Sequence, residues 1–217
     1  MITTPSRTVH TADALIWLSQ QDPLEGSSII TSMPDISEFP QLSLEGWKTW
    51  FTKAAQLVLS KCPDDGITAF YQTDIKREGV WVDKAYLCQK AAEALGVNLI
   101  SHKIICRAQP GSPSYGRPVY SHLIFFSKNI RPEVSKATAD VLASAGETTW
   151  TRGMGTHACQ LACRFIQIHT QSHTIVDPFC GHGTVLAVAN ELGLHAVGVE
   201  LSRKRAKKAQ ALQLSDL

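Results

Sequence analysis

Short apolar runs alternate along the chain with stretches whose apolar residues recur at helical spacing. Residues 27–31 form an apolar run that enters a Pro-bearing loop, Ser32-Met-Pro-Asp35. Further strands are predicted at 66–71, 98–107, 119–127, 172–177 and 196–200. A short helix starts at 13–18. A longer one over 46–60 sets Trp47, Trp50, Phe51, Ala54, Leu57 and Val58 on one face. Helices are also predicted at 83–95, stopped by Gly96, at 154–169, at 183–192 and after residue 200. Alternating strands and helices imply an α/β fold with a doubly wound, mostly parallel sheet. The Pro- and Gly-rich loop 108–118 separates two strands that are expected to pair antiparallel. Segment 131–145 is poor in apolar residues and is expected to be a mobile connection.

Composition narrows this picture. At 217 residues, 44% hydrophobic and 18% charged, the chain suits one globular α/β domain over 1–217. No apolar run reaches membrane-spanning length, and no basic-then-apolar signal opens the chain, so the expectation is a cytoplasmic protein with no membrane partner. The six cysteines include no Cys-x-x-Cys pair and read as reduced, buried thiols. Cys159 and Cys163 lie four apart with only His157 and His169 nearby, so no metal is expected. The net charge of +2 does not by itself announce a nucleic-acid protein. Basic residues do cluster in Ser202-Arg-Lys-Arg-Ala-Lys-Lys208, which reads as the solvated face of a helix, and more weakly at Lys76, Arg77 and Lys84.

The strongest chemical signal is Thr174-Ile-Val-Asp-Pro-Phe-Cys-Gly-His-Gly-Thr184. An apolar strand ends in an acid, and a Gly-x-Gly turn then opens a helix. Glycines let backbone approach a ligand closely, and the helix start offers free N–H groups. Asp177 falls at the carboxyl end of its strand, where open α/β sheets bind ligands. The next strand, Val197-Gly-Val-Glu200, also ends in a carboxylate, placed to take ribose hydroxyls.

Residues 175–209 resemble motif I and its following acid in the amino-methyltransferases of nucleic acids, which commonly read Asp-Pro-Phe-x-Gly-x-Gly-Thr and then Gly-x-Glu. The resemblance implies a Rossmann-like methyltransferase fold with a mostly parallel seven-stranded sheet and an antiparallel strand. It implies S-adenosylmethionine as cofactor, with Asp177, Phe179, Gly181, Gly183, Thr184 and Glu200 in its site. Motif I normally opens this fold, yet here it lies near the C-terminus, as in the circularly permuted branch. In that branch an Asp before the catalytic strand contacts adenine, and Ala12-Asp-Ala-Leu15 supplies Asp13. A polar motif entering the preceding helix touches the cofactor, and Gly155-Thr-His157 supplies Thr156. The catalytic Ser/Asp/Asn-Pro-Pro-aromatic motif has a degenerate counterpart in Ser32-Met-Pro-Asp35, giving Ser32, Pro34 and Asp35 as catalytic candidates.

This sequence departs from the family at Asp35. In relatives an aromatic here stacks on a flipped base, which a carboxylate cannot do. Asp35 can act as a general base or cap the following turn. Asp74, Lys76, Arg77 and Trp81 follow the next strand at the ligand-binding edge. With Arg117 from the long loop they are candidates to grip a phosphate and a base, and a polar β-turn covering the core is the alternative. His102 and His122 read as core histidines.

These features point to a methyltransferase acting on nucleic acid. The scaffold uses nearly the whole chain and leaves no separate DNA-recognition segment, so a structured RNA such as transfer RNA is the first expectation. The alternatives are a DNA base-amine methyltransferase and a small-molecule or protein methyltransferase. The lack of an obvious RNA-binding domain leaves room for a homodimer or a partner subunit that supplies recognition.

Overall fold

The computed structural model describes residues 4–77, 79–150 and 153–216. In chain order the elements are β1 (Arg7–Thr11), α1 (Ala14–Ser19), β2 (Ser27–Thr31), α2 (Leu44–Lys61), β3 (Thr68–Gln72), β4 (Ile75–Arg77), β5 (Val80–Val82) and α3 (Lys84–Glu93). Then come β6 (Asn98–Cys106), β7 (Tyr120–Ser127), β8 (Val141–Leu142), α4 (Thr156–His169), β9 (Thr174–Asp177), α5 (Thr184–Glu191), β10 (His195–Glu200) and α6 (Arg203–Ala211).

Among the described residues the main sheet runs β1-β10-β9-β2-β3-β7-β6-β8. Only β7 is reversed, pairing antiparallel with β3 and β6, and the other neighbours are parallel. The expected antiparallel pairing across the 108–118 loop is therefore present. The sheet has eight strands rather than seven because Val141–Leu142 adds along the outer edge of β6. That strand lies within the segment expected to be mobile. Lys103, buried in β6, holds the segment through its Nζ, which donates to the carbonyls of Thr138 and Ala139 at 3.1 and 2.9 Å.

Side-chain alternation divides the strands between two cores. In β2, Ile29 joins the core under α1, α2 and α3, while Ile30 joins the core under α4 and α5. Helix α2 begins at Ser43, whose Oγ accepts the Gly46 N–H at 3.1 Å, and buries Trp47, Phe51, Ala54, Val58 and Leu59 along one face. Cys159 and Cys163 lie in the apolar face of α4, where burial pushes the Cys163 thiol up to about 12. Among the described residues no helix is long and apolar enough to cross a membrane.

The order of strands locates the site. From β9 the chain moves through α5 to β10 on one side, and from β2 through α2 to β3 on the other. The carboxyl ends of β9 and β2 therefore flank the switch point, where open α/β sheets form their ligand crevice.

Candidate active site

A cavity of about 330 Å³ opens at that switch point. Its wall includes Asp13, Ser32, Pro34, Asp35 and Arg117, together with Asp177, Phe179, Gly181, Thr184 and Glu200. Ten of the residues singled out from the sequence thus share one cavity, although they come from both ends of the chain.

Backbone geometry shapes the side after β9. Gly181 and Gly183 both have left-handed φ, +54° and +86°. Gly183 is not in the cavity wall. A Cβ there would lie 2.7 Å from the Cα of Ala209, so this glycine lets α5 pack against α6 and sets the turn indirectly. Asp177 is buried, and its Oδ1 accepts from the Thr31 hydroxyl at 2.7 Å and from the Phe179 N–H at 3.1 Å. Burial dominates these bonds and pushes its carboxyl up to about 7. The Thr31 bond also ties β9 to β2. At the end of β10, Glu200 Oε1 accepts from the Ser202 N–H at 2.7 Å and from Arg205 at 2.9 and 2.8 Å. Asp13 caps α1 by accepting the Leu15 and Ile16 N–H groups at 2.9 and 3.0 Å. The Trp150 ring lies 5.6 Å from that of His182 over the same loop.

Charge shapes the side after β2. Asp35 is 7% exposed, and its Oδ2 accepts from Arg117 at 3.0 Å and from Lys84 Nζ at 3.5 Å. Its Oδ1 accepts the Ser37 N–H at 3.2 Å, and Glu38 returns a bond to the Asp35 N–H, which completes a capping box. Asp35 thus caps the turn and also lines the cavity. Burial works to raise its carboxyl, but Lys84, the Ser37 N–H and Arg117 together hold it below the ordinary value. Phe39 and Trp50, 4.3 Å apart, form an apolar wall beside it.

Other candidates lie elsewhere. Thr156 does not face the cavity. Its Oγ1 accepts the Glu147 N–H at 3.1 Å, and it pins the loop before α4. Asp74 is buried outside the cavity. It accepts from Trp81 Nε1 at 2.9 Å, from the Lys84 N–H at 2.8 Å and from His122 at 3.0 Å. Burial raises the Asp74 carboxyl, and these bonds outweigh it and hold it low. Asp74, Asp83 and His122 bring ligand atoms within 4.8 Å, but these same bonds occupy Asp74, and Asp83 caps α3 on the Tyr86 N–H. His122 is buried as expected, whereas its partner His102, 2.9 Å away, is at the surface. Lys76, Arg77 and Trp81 sit on the β4–β5 hairpin, outside the cavity, with Lys76 Nζ 4.9 Å above the Trp81 ring. The sequence reading did not single out Trp150 or Arg205, and it saw Lys84 only as part of a weak basic cluster. Arg205 could have been found from its place one turn into the helix that follows Glu200.

This arrangement recurs in known proteins. A family model described as DNA methylase, of the N6 and N4 methyltransferases, matches residues 29–211. A search of curated proteins gave no match. Among solved structures, PvuII DNA methyltransferase (cytosine-N4-specific) is similar with a TM-score of 0.73 at 16% identity, covering 98% of this chain and 88% of its own. TTHA0409 of Thermus thermophilus, described as a DNA modification methylase and solved with S-adenosyl-L-methionine, gives 0.71 at 18% identity, covering 94% and 92%. The M1.HpyAVI–SAM complex gives 0.60 at 16% identity, covering 94% and 97%. The family match spans both walls of the crevice, from the strand before Ser32 to the helix after Glu200. This chain therefore belongs to the N6/N4 DNA methylase family and is an S-adenosylmethionine-dependent methyltransferase.

Proposed function

We propose that this enzyme transfers a methyl group to an exocyclic amine of a DNA base. The carrying observation is that the Asp177–Thr184 loop and the Ser32–Asp35 turn face one cavity at the switch point of the sheet. The family description supports DNA as substrate. The brevity that pointed to a structured RNA does not count against DNA, because the chain covers 92% of TTHA0409, which is described as a DNA modification methylase.

The donor set suits the cofactor. Asp13, Asp177 and Glu200 are three carboxylic groups on one wall, matched to a ligand with hydroxyl, ammonium and sulfonium groups, and Phe179 adds an apolar surface. When bound, S-adenosylmethionine supplies a methyl group already activated on a sulfonium sulfur. The chain has then to position the acceptor in line and receive its proton. Ser32 and the carbonyls of its turn hold the amine. Asp35, kept ionised by Lys84 and Arg117, takes the proton released as the N–C bond forms and the C–S bond breaks. Lys76, Arg77 and Trp81 meet the nucleic acid outside the cavity.

One observation favours a different acceptor. Asp35 offers no stacking face, which suits a small-molecule or protein substrate. Labelled methyl transfer into DNA, transfer RNA, ribosomal RNA and protein, all from a strain lacking this enzyme, separates the readings. Label in DNA is expected. Label confined to transfer RNA or to protein overturns the proposal.

A further inference from the structure

Lys84 is an unusual lysine. Its side chain is 5% exposed, although lysines almost never bury their ammonium without close partners. Among the described residues the only hydrogen bond of its Nζ goes to Asp35 at 3.5 Å, long for a charge-assisted bond, so most of its donor capacity is unused. It occupies the first position of α3, where the helix dipole disfavours a cation. Burial accordingly pushes its ammonium down. Neutralising Asp35 does not account for Lys84, since Arg117 already does so at 3.0 Å. Yet Lys84 is held firmly, because its backbone N–H donates to Asp74, itself fixed by Trp81 and His122. It lines the cavity beside Asp35.

We propose that Lys84 is a specificity-determining residue that reads the edge of the target base. This rests on the base-amine reading above. Asp35 and Lys84 place a hydrogen-bond acceptor and a donor side by side, 3.5 Å apart, on the acceptor wall. Adenine and cytosine both carry an amine donor next to a ring-nitrogen acceptor on the Watson–Crick edge, the edge a flipped base presents. Asp35 receives the amine, and Lys84 donates to the ring nitrogen next to it. Gripping the base by its edge takes the place of the stacking that an aromatic at position 35 would give.

The test is a cycle between enzyme and substrate. Wild type and Lys84→Met are assayed for methyl transfer to random-sequence duplex oligodeoxynucleotides. These contain either natural bases or 1-deazaadenine or 3-deazacytosine, in which the ring nitrogen is a C–H. Lys84→Met is expected to lower kcat/KM on natural DNA by roughly 10- to 100-fold, the range of a charged hydrogen bond. The deaza base is expected to penalise wild type but not Lys84→Met, and affinity for S-adenosylmethionine is expected to be unchanged. Lys84→Gln, which keeps a donor without charge, should recover part of the loss and guards against a folding defect. An equal deaza penalty in wild type and both variants overturns the edge reader and leaves the base-amine reading standing. No transfer to natural DNA by wild type overturns both.

Discussion

Across the cavity, the loop after β9 takes its shape from backbone and the turn after β2 takes its shape from charge. The first needs two left-handed glycines and close contact between α5 and α6. The second carries Asp35, Lys84 and Arg117 in mutual contact and matches its family motif only at Ser32 and Pro34. The cofactor is the same across such enzymes, so its cradle tolerates little change. The acceptor differs, and side chains can be exchanged around it without altering the sheet. The contrast implies that backbone changes disable the first wall and charge changes disable the second.

The largest expected effect is on the charged wall. Asp35→Asn should lower kcat by about 10²- to 10⁴-fold, the usual worth of a positioned base, while calorimetry shows S-adenosylmethionine binding intact. Full turnover in that variant would reduce Asp35 to its capping role. On the backbone wall, Gly183→Ala should destabilise the fold by about 2–4 kcal/mol in urea unfolding, since a Cβ meets Ala209 at a left-handed φ. An unchanged midpoint would refute the packing role of this glycine. A charge change on the same wall should do less. Glu200→Ala should weaken cofactor binding by roughly 1–3 kcal/mol, partly offset by the release of Arg205.

Asp177 sharpens the comparison through pH. Its carboxyl is raised by burial from 3.8 to about 7, so the folded state holds a proton that the unfolded state has lost. The group therefore withdraws stability as pH rises from 3.8 through about 7. Urea unfolding at pH ~5 and ~8 should show wild type losing stability relative to Asp177→Asn across that window. A cationic cofactor favours the ionised carboxyl, so its affinity should rise with pH through about 7 in wild type and stay flat in the variant. Identical profiles would place the cofactor's charge away from Asp177. The smallest effect belongs to the hairpin. Lys76→Met should reduce the salt slope of DNA binding by about one counterion and leave kcat unchanged.

The two walls were also unequally legible in the sequence. Strand–Asp–Gly-x-Gly–helix–strand–Glu is contiguous, and its residues act through local geometry, so Asp177, Gly181 and Glu200 could be placed from spacing. Gly183 was placed in the cofactor site, but its neighbour is Ala209, a tertiary contact that spacing does not reveal. The acceptor wall is assembled from β2, the start of α3 and the 108–118 loop, and no periodicity joins them. Lys84 looked like a surface cation because burial of a lysine depends on what folds over it. Asp74 looked like a substrate ligand because its partners Trp81 and His122 meet it only in the folded sheet. β1 went unseen because Arg-Thr-Val-His-Thr is a polar edge strand held by backbone pairing to β10. Lys103, buried within a strand, hid the ordering of the 131–145 segment.

The most direct test of the central claim is nucleoside analysis of DNA from a strain lacking the enzyme, treated with purified protein and S-adenosylmethionine carrying a trideuterated methyl. The account expects the heavy methyl on N6 of deoxyadenosine or N4 of deoxycytidine, lost in Asp35→Asn. A heavy methyl found only in ribonucleosides of transfer RNA in a parallel incubation, with none in DNA, would contradict it.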